Sequence, residues 1–366
     1  MTAGSEDATP GKPRRRNSRA AARVAVIGAG AWGTTLANLL ANSGAWVRLW
    51  AREPDVARSF SEYGQNALFL QGVSLNRERL SVSNSLTESL EAAEIVVWVC
   101  PVQHSAGLLA AAAPCIPGDA VVVSASKGIE IATLRRMDEM FADALPPAET
   151  GPFCVLSGPS FAREVCDGVP TAVAVASRDR DACMWVQSLF QTDRFRVYTT
   201  PDVIGVELGG ALKNVIALAA GVAAGLELGH NAVAALMTRG LAEISRLGVT
   251  MGAHPATFAG LAGMGDLVLT CTGGLSRNRT VGQRLGRGES MEEITGSTRT
   301  VAEGVATVVA VHELAGRLGV EMPVSEEVYR IVAQGADPLE ALHRLMTREP
   351  KPEHPHASER TGASRS

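Results

Sequence analysis

Cysteine and histidine are sparse in this sequence and form no pattern typical of disulfides or metal sites. The 366 residues include six cysteines, none in a C-x-x-C pair, and seven histidines without the spacing of zinc ligands. We therefore expect neither a disulfide framework nor a structural metal site. The cysteines are interpreted as buried free thiols in a reducing cytosol, which makes a cytoplasmic protein the expectation.

Long apolar runs and a strong charge of one sign are also lacking. No run reaches the about 18 apolar residues that a membrane span needs. The basic N-terminus is not followed by the apolar stretch of a signal peptide. The formal net charge of -4 argues against general affinity for nucleic acid or anionic membranes. A phosphorylated ligand would consequently need a local basic site.

What is present fits a globular protein of two domains. Hydrophobic residues make up 46% and charged residues 20%, which allows a large core, and the length predicts about two domains. We expect a disordered basic tail over residues 1–22, a first domain over 23–200, a second domain over 201–347, and a disordered tail over 348–366.

Short apolar runs alternate with helix-like stretches as far as about residue 200. Residues 24–27 are typical of a buried parallel strand, and residues 34–42 and 46–50 indicate the next helix and strand. This alternation predicts an α/β fold with a doubly wound parallel sheet. Beyond Pro201 the helical periodicity predicts an all-helical C-terminal domain. Further strand candidates are residues 95–99, 120–124, 153–156 and 172–176.

A glycine-rich loop, G-A-G-A-W-G, follows the first strand and precedes the first helix. In that context Gly28 permits the tight turn, Gly30 lets the backbone approach a pyrophosphate, and Gly33 allows close packing of the helix on the sheet. The helix N-terminus favours the phosphate charge. The loop therefore predicts a dinucleotide cofactor, NADH or NADPH.

The residues after the second strand bear on which of the two is used. An NAD site usually places a carboxylate there to hold the ribose hydroxyl, whereas an arginine accommodates the 2′-phosphate of NADP. Arg52 favours NADPH slightly, but Glu53 beside it is able to accept the NAD ribose. The preference stays open.

Lys213 is the best candidate for the proton donor that ketone reduction needs. Gly209 and Gly210 lie on the preceding turn of the same helix face. They cost the helix roughly 2 kcal/mol relative to alanine, which a closely approaching ligand or backbone would explain. Burial would lower the lysine pKa into a useful range. The alternative is a lysine that extends to the surface.

Other polar groups strengthen this interpretation. Asp266 lies in a glycine-flanked turn, although such a residue is often a helix cap. Residues 276–279, S-R-N-R, suit a phosphate, although such a segment is often a solvated loop. Lys127 follows one strand and residues 156–160 end another, at the edge where open α/β sheets bind ligands. A plain turn is an equally natural interpretation of residues 156–160.

These segments together resemble the NAD(P)-dependent glycerol-3-phosphate dehydrogenase family in its bacterial form, over about residues 23–345. The motifs that carry the resemblance are GAGAWGTTLA (28–37), SKG (126–128), SGPSFA (157–162), ELGGALKN (207–214), NAVAALMTRG (231–240), GLAGMGDLVLTCT (260–272), SRNR (276–279) and VAEG (301–304). The family's fold is the one predicted above, which makes residues 23–200 a Rossmann-type NAD(P)-binding domain and residues 201–347 a helical substrate and catalytic domain. The family's active site lies between the domains, and its usual role is to supply glycerol phosphate for phospholipid synthesis.

The resemblance also implies roles for individual residues. Lys213 would be the catalytic proton donor and acceptor at the C2 oxygen of the substrate. A homodimer is plausible by the same resemblance. The residues implied at the glycerol phosphate are Lys127, Gly158, Ser160, Lys213, Asp266, Ser276, Arg277 and Asn278. Those implied at the cofactor, beside the glycines of the loop, are Ala31, Trp32, Arg52, Lys127, Ala162, Arg277, Val301 and Glu303.

Two alternatives belong to different functional classes. Another two-domain dehydrogenase, such as a 3-hydroxyacid dehydrogenase or a ketopantoate reductase, would also use a helix lysine but should lack Asp266 followed by the S-R-N segment. A nicotinamide-sensing or scaffold protein would keep the glycine loop, but it has no reason to retain Lys127, Lys213 and Asp266 together.

Overall fold

A computed structural model describes residues 22–145, 151–297, 302–350 and 352–353. Its apolar runs form one eight-stranded sheet in the order β3-β2-β1-β4-β5-β6-β7-β8. The predicted tails fall outside the described residues, apart from Ala22 and residues 348–350 and 352–353. The strands are β1 (Arg23–Ile27), β2 (Trp46–Trp50), β3 (Leu80–Ser83), β4 (Ile95–Trp98), β5 (Val121–Ser124), β6 (Phe153–Ser157), β7 (Thr171–Ala176) and β8 (Phe195–Thr200).

The predicted doubly wound parallel sheet is confirmed for β1 to β6, which all run in the same direction. β7 pairs antiparallel with β6, and β8 pairs parallel with β7, so the last two strands are reversed. The reversal of β7 follows from the connection between β6 and β7. The short helix in that connection does not cross the sheet but lies against the first helix of the fold, where the Thr35 hydroxyl donates to the Ala162 carbonyl oxygen.

Helices alternate with the strands and then continue alone. Beyond β8, no strand occurs among the described residues, which confirms the helical character predicted for the second part; the predicted domain limits remain predictions. The first helix begins at Ala31 rather than at Thr34, since Gly30 is its N-cap.

The helices before the end of β8 are α1 (Ala31–Asn42), α2 (Pro54–Tyr63), α3 (Leu86–Leu90), α4 (Ser105–Ala112), α5 (Met137–Ala144), α6 (Ala162–Cys166) and α7 (Arg180–Phe190). Those after it are α8 (Val203–Gly225), α9 (Gly229–Thr250), α10 (Pro255–Phe258), α11 (Asp266–Thr272), α12 (Arg277–Gly286), α13 (Met291–Ser297), α14 (Glu303–Leu318), α15 (Pro323–Gln334) and α16 (Pro338–Met346). Single 3₁₀ turns cover Val102–His104 and Ala113–Cys115, and a π turn covers Leu261–Gly265.

The sheet is buried on both faces because successive side chains of a strand point to opposite sides. Val24 and Val26 of β1 belong to a core shared with α1 and α7. Ala25 and Ile27 belong to a second core shared with α3, α4 and α5. Because β1, β4, β5 and β6 are parallel, their carboxyl ends meet at one edge of the sheet, and α8 packs against β6 there.

Helix α8 is the centre of the helical core, with α9, α11, α12, α14 and α15 packed around it. It is long and apolar enough to span a membrane, but 94% of its apolar stretch is buried inside the fold. The core helix of a globular protein can have the same length and composition. Asp202 caps the helix by accepting from Gly205 N at 2.9 Å, and it also accepts from His254 N, which ties the start of α8 to α10.

Candidate active site

The glycine-rich loop has the geometry of a phosphate cradle. Gly28 has φ +113°, and a Cβ there would lie 2.9 Å from the Val99 carbonyl oxygen. A Cβ on Gly33 would lie 3.0 Å from the carbonyl carbon of Gly28. Gly30, by contrast, faces open space and caps α1 without any side-chain bond to the first amides. Those amides are thus available to an anion, so the residues present fit a dinucleotide.

Arg52 and Glu53 are paired with each other at the end of β2. One oxygen of Glu53 accepts from Arg52 Nη2 at 2.8 Å and from Nε at 3.0 Å. The Gly28 amide bonds the carbonyl oxygen of Trp50 at 3.2 Å, which places this turn beside the glycine loop. The Glu53 carboxylate is therefore paired with the Arg52 guanidinium that a 2′-phosphate would need.

The catalytic candidates meet at one carboxylate. Lys213 Nζ lies 2.8 Å from Asp266 Oδ1, and Lys127 Nζ lies 2.6 Å from Asp266 Oδ2. Lys127 comes from the segment after β5, whereas Lys213 comes from α8 and Asp266 from the start of α11. Both Lys213 and Asp266 are buried. The geometry therefore rules out the alternative of a lysine that extends to the surface.

Burial sets the acid strength of Lys213. It lowers the lysine pKa from 10.5 to about 8; the nearby Lys127 acts in the same direction, and Asp266 opposes both. A lysine with this pKa exchanges its proton near neutral pH, which suits a group that must both donate and accept. Lys213 Nζ also donates to Thr270 Oγ1 at 2.7 Å, so its orientation is fixed.

The two glycines before Lys213 are explained by close packing of protein atoms. A Cβ on Gly209 would lie 2.5 Å from the carbonyl oxygen of Ala262, in the π turn before α11. A Cβ on Gly210 would lie 2.6 Å from Ser157 Oγ at the end of β6. The glycines let α8 lie directly on the π turn and on the sheet edge, and so bring Lys213 within bonding distance of Asp266.

The S-R-N segment forms the start of α12, beside α8 and α14. Ser276 is the N-cap and accepts from Arg279 N at 3.2 Å. Asn278 is buried; its Nδ2 donates to Asn214 Oδ1 at 2.9 Å, and its Oδ1 accepts from Gly304 N at 2.9 Å. Arg277 is exposed at the same helix end.

Glu303 adds a second carboxylate. Burial raises its pKa above the ordinary 4.5, whereas the charges of Arg277, Lys213 and Lys127 act to lower it. Three cations thus face two carboxylates in this site, an excess of positive charge that suits a phosphate anion.

The remaining predicted residues that the structure describes lie in the N-terminal part. The carbonyl oxygen of Gly158 accepts from Lys127 Nζ at 3.3 Å and from Ser160 Oγ at 3.0 Å. Ala162 begins α6, next to α1. Ala31 and Trp32 form the first turn of α1 and are half-buried. Val301 lies outside the described residues.

Two further residues of the candidate site were not predicted from the sequence. Thr270 accepts from Lys213 and donates to the Asp266 carbonyl oxygen at 2.6 Å. Its position four residues after Asp266, on the same helix face, is the sequence feature that could have indicated it. Asn214 is buried beside Lys213, and its Nδ2 has no hydrogen-bond partner among the described residues. An unsatisfied buried donor is costly, so this amide is available to a ligand.

The six cysteines all lie in the described part of the chain; none forms a disulfide there, and four of them are buried. Burial raises the pKa of Cys100 and of Cys271 to about 12. Thiols with such pKa values are unreactive near neutral pH, so the chemistry of the site rests on its lysines.

Comparisons with known proteins agree with this geometry. Models of the NAD-dependent glycerol-3-phosphate dehydrogenase N-terminus and C-terminus match residues 23–183 and 202–343. A protein of Geobacter metallireducens named glycerol-3-phosphate dehydrogenase (NAD(P)+) is 55% identical over 331 residues, which are 90% of this chain and 98% of that protein.

Solved structures give the same result. A glycerol-3-phosphate dehydrogenase from Coxiella burnetii has a TM-score of 0.85 at 38% identity, and the match covers 89% of this chain and 99% of that one. A ketopantoate reductase from Ralstonia eutropha has a TM-score of 0.56 at 15% identity. That match covers 88% of this chain and 100% of that one, and it shows a shared fold alone.

Proposed function

The chain belongs to the NAD-dependent glycerol-3-phosphate dehydrogenase family, and we propose that it interconverts dihydroxyacetone phosphate and sn-glycerol 3-phosphate with NADH or NADPH. It is an oxidoreductase acting on the CH–OH group of a small phosphorylated substrate. The observation that carries the proposal is that the carboxylate of Asp266 bonds the ammonium groups of both Lys127 and Lys213.

The cofactor is held by residues at the carboxyl edge of the sheet. Gly28, Gly30 and Gly33 shape the loop, and the free amides of α1 receive the pyrophosphate. Bound NAD(P)H supplies the hydride that reaches C2 of the ketone. We assign the remaining contacts to Ala31, Trp32, Arg52, Lys127, Ala162, Arg277, Val301 and Glu303.

Lys213 is the proton donor in ketone reduction and the acceptor in alcohol oxidation. Its charged form donates a proton to the C2 oxygen, and its neutral form removes that proton in reverse. Asp266 and Thr270 fix the ammonium group between them. Lys127 places a second positive charge nearby, which stabilises the negative charge that develops on the C2 oxygen.

The phosphate group is assigned to the start of α12, where Ser276, Arg277 and Asn278 combine a helix N-terminus with a guanidinium and an amide. Gly158 and Ser160, which follow β6, are assigned to the substrate as well. Binding energy from the phosphate orients the ketone, although the phosphate itself does not react. An unphosphorylated ketone would lose that energy.

The product is the glycerol phosphate unit of phospholipids, so we assign the enzyme a role in phospholipid synthesis. Action in the cytoplasm is proposed from the cysteine content, and a homodimer from the family resemblance. Sedimentation equilibrium of the purified protein tests the homodimer. A mass near that of one chain would contradict it.

The activity is tested by following oxidation of NADH and of NADPH with three ketones. Turnover is expected with dihydroxyacetone phosphate. Unphosphorylated dihydroxyacetone controls for the phosphate, and ketopantoate tests the alternative dehydrogenase. Equal rates with the two dihydroxyacetones would contradict the phosphate site. No oxidation of either cofactor with any of the three ketones, despite measurable binding of the nucleotide, would favour a nicotinamide sensor.

A further inference from the structure

A buried ion pair joins the two parts of the molecule away from the reacting groups. Arg136 Nε lies 3.2 Å from Glu207 Oε2, and the other oxygen of Glu207 accepts from the backbone N of Asp138 at 3.0 Å. Arg136 is 6% exposed and Glu207 8%. A buried pair of this kind is costly to assemble, and removing one partner leaves an uncompensated charge.

The pair lies in a small cluster of charges at the start of α5. Arg136 also contacts Asp138 at 3.0 Å and Glu139 at 3.3 Å, and Glu139 caps the Arg136 amide at 2.9 Å. Burial and the neighbouring Asp138 raise the pKa of Glu207 well above 4.5, whereas Arg136 acts to lower it. Arg136 therefore favours the charged form of a carboxylate that its surroundings disfavour.

The two ends of the pair lie on the elements that carry the lysines. Glu207 precedes Lys213 on α8 by six residues, which is about 9 Å along a helix axis. Arg136 ends the irregular segment that follows β5 and contains Lys127. Gln103 holds the middle of that segment through Ile129 and Ile131. Those bonds stay within the N-terminal part, whereas the Arg136–Glu207 pair crosses to α8.

We propose that Arg136 and Glu207 are positioning residues, whose ion pair fixes α8 against the segment after β5 so that Lys213 and Lys127 stay on either side of Asp266. The proposal rests on the function assigned to the two lysines. It follows because a carboxylate that bonds two ammonium groups at 2.6 and 2.8 Å tolerates little relative movement of the elements that carry them.

The test compares Glu207→Gln, Arg136→Gln and Arg136→Lys with the matched control Glu327→Gln. Glu327 is also a buried carboxylate on a helix, and it bonds Arg344 at 2.9 Å, but that pair joins α15 to α16 and does not reach the N-terminal part. Each variant is measured for kcat, for KM of dihydroxyacetone phosphate and NADPH, and for stability to urea.

Glu207→Gln and Arg136→Gln should lower kcat by about tenfold to a hundredfold, the cost of a displacement near 1 Å, with KM for NADPH within about twofold. Arg136→Lys retains the charge and should recover part of the lost kcat. Glu327→Gln should lose stability while kcat stays within about twofold of the parent.

A loss of stability in Glu207→Gln with kcat unchanged, as in the control, would overturn the proposal and leave the pair a purely structural link. If Glu207→Gln does not fold, Arg136→Gln decides: an unchanged kcat overturns the proposal, and a reduced kcat that Arg136→Lys partly restores supports it. An inactive parent enzyme would instead refute the proposed function, so the two failures are distinguishable.

Discussion

Substituting alanine at Gly282 should move the phosphate-binding end of α12 away from Lys213. α12 crosses α8 where Gly282 faces Gly221. A Cβ on Gly282 would lie 2.9 Å from the carbonyl carbon of Leu218 and 3.0 Å from Cα of Gly221, and closer still to the Leu218 carbonyl oxygen. Because carbon atoms in contact are about 3.5–4.0 Å apart, the helices must separate by roughly 1 Å.

The separation affects both stability and binding. Overpacking of this kind costs about 1–3 kcal/mol of the free energy of unfolding. It also stretches the 2.9 Å bond from Asn278 to Asn214, which ties the start of α12 to α8 beside Lys213. We expect kcat/KM for dihydroxyacetone phosphate to fall by about a hundredfold, mainly through KM, because Arg277 moves with the helix end.

Urea unfolding and steady-state kinetics check this prediction. The control is Gly316→Ala in α14, where no atom lies within 4 Å of the added Cβ. That change should stabilise the protein by about 0.5–1 kcal/mol through helix propensity, with kinetics unchanged. Parent-like KM and stability in Gly282→Ala would refute the argument that this crossing sets the distance between phosphate and lysine.

Three further predictions concern the site itself. Lys213→Ala should lower kcat by about 10²–10⁴-fold with nucleotide affinity kept, and near-parent turnover of this variant would refute the assignment. In the parent enzyme, ketone reduction should decline and alcohol oxidation should rise as pH increases through about 8. Arg277→Ala should raise KM for dihydroxyacetone phosphate by about tenfold or more, and an unchanged KM would count against a phosphate contact. Glu53→Gln should release Arg52 and increase the ratio of kcat/KM for NADPH over NADH by up to about fivefold, since an exposed ion pair is worth under about 1 kcal/mol; a ratio that moves toward NADH would be the contrary result.

The sequence was sufficient to predict elements whose signal is local. The glycine loop after an apolar run predicted β1 and the cofactor turn, and the glycines before Lys213 indicated close packing on that helix face. Edge strands β3 and β8 were missed because they mix polar and apolar residues and lack the continuous apolar run that marked the central strands. The reversal of β7 depends on where α6 packs, which no local pattern records.

Contacts between distant segments were the part that the sequence could not supply. Lys127 and Asp266 are 139 residues apart, and nothing in either segment specifies that they bond. The pairing of Arg52 with Glu53 was equally hidden, because adjacent residues need not face each other. The resemblance to a known family named the residues of the site, whereas the packing of α8 on the π turn explains how they meet.

Transfer of deuterium from NADH and from NADPH, each labelled at both C4 positions, tests the central claim most directly. Incubated with the protein and dihydroxyacetone phosphate, at least one labelled cofactor should yield sn-glycerol 3-phosphate with one deuterium at C2 for each cofactor molecule oxidised. Oxidation of the cofactor without deuterium at C2, or no product with either cofactor, would contradict the assignment of this site to hydride transfer.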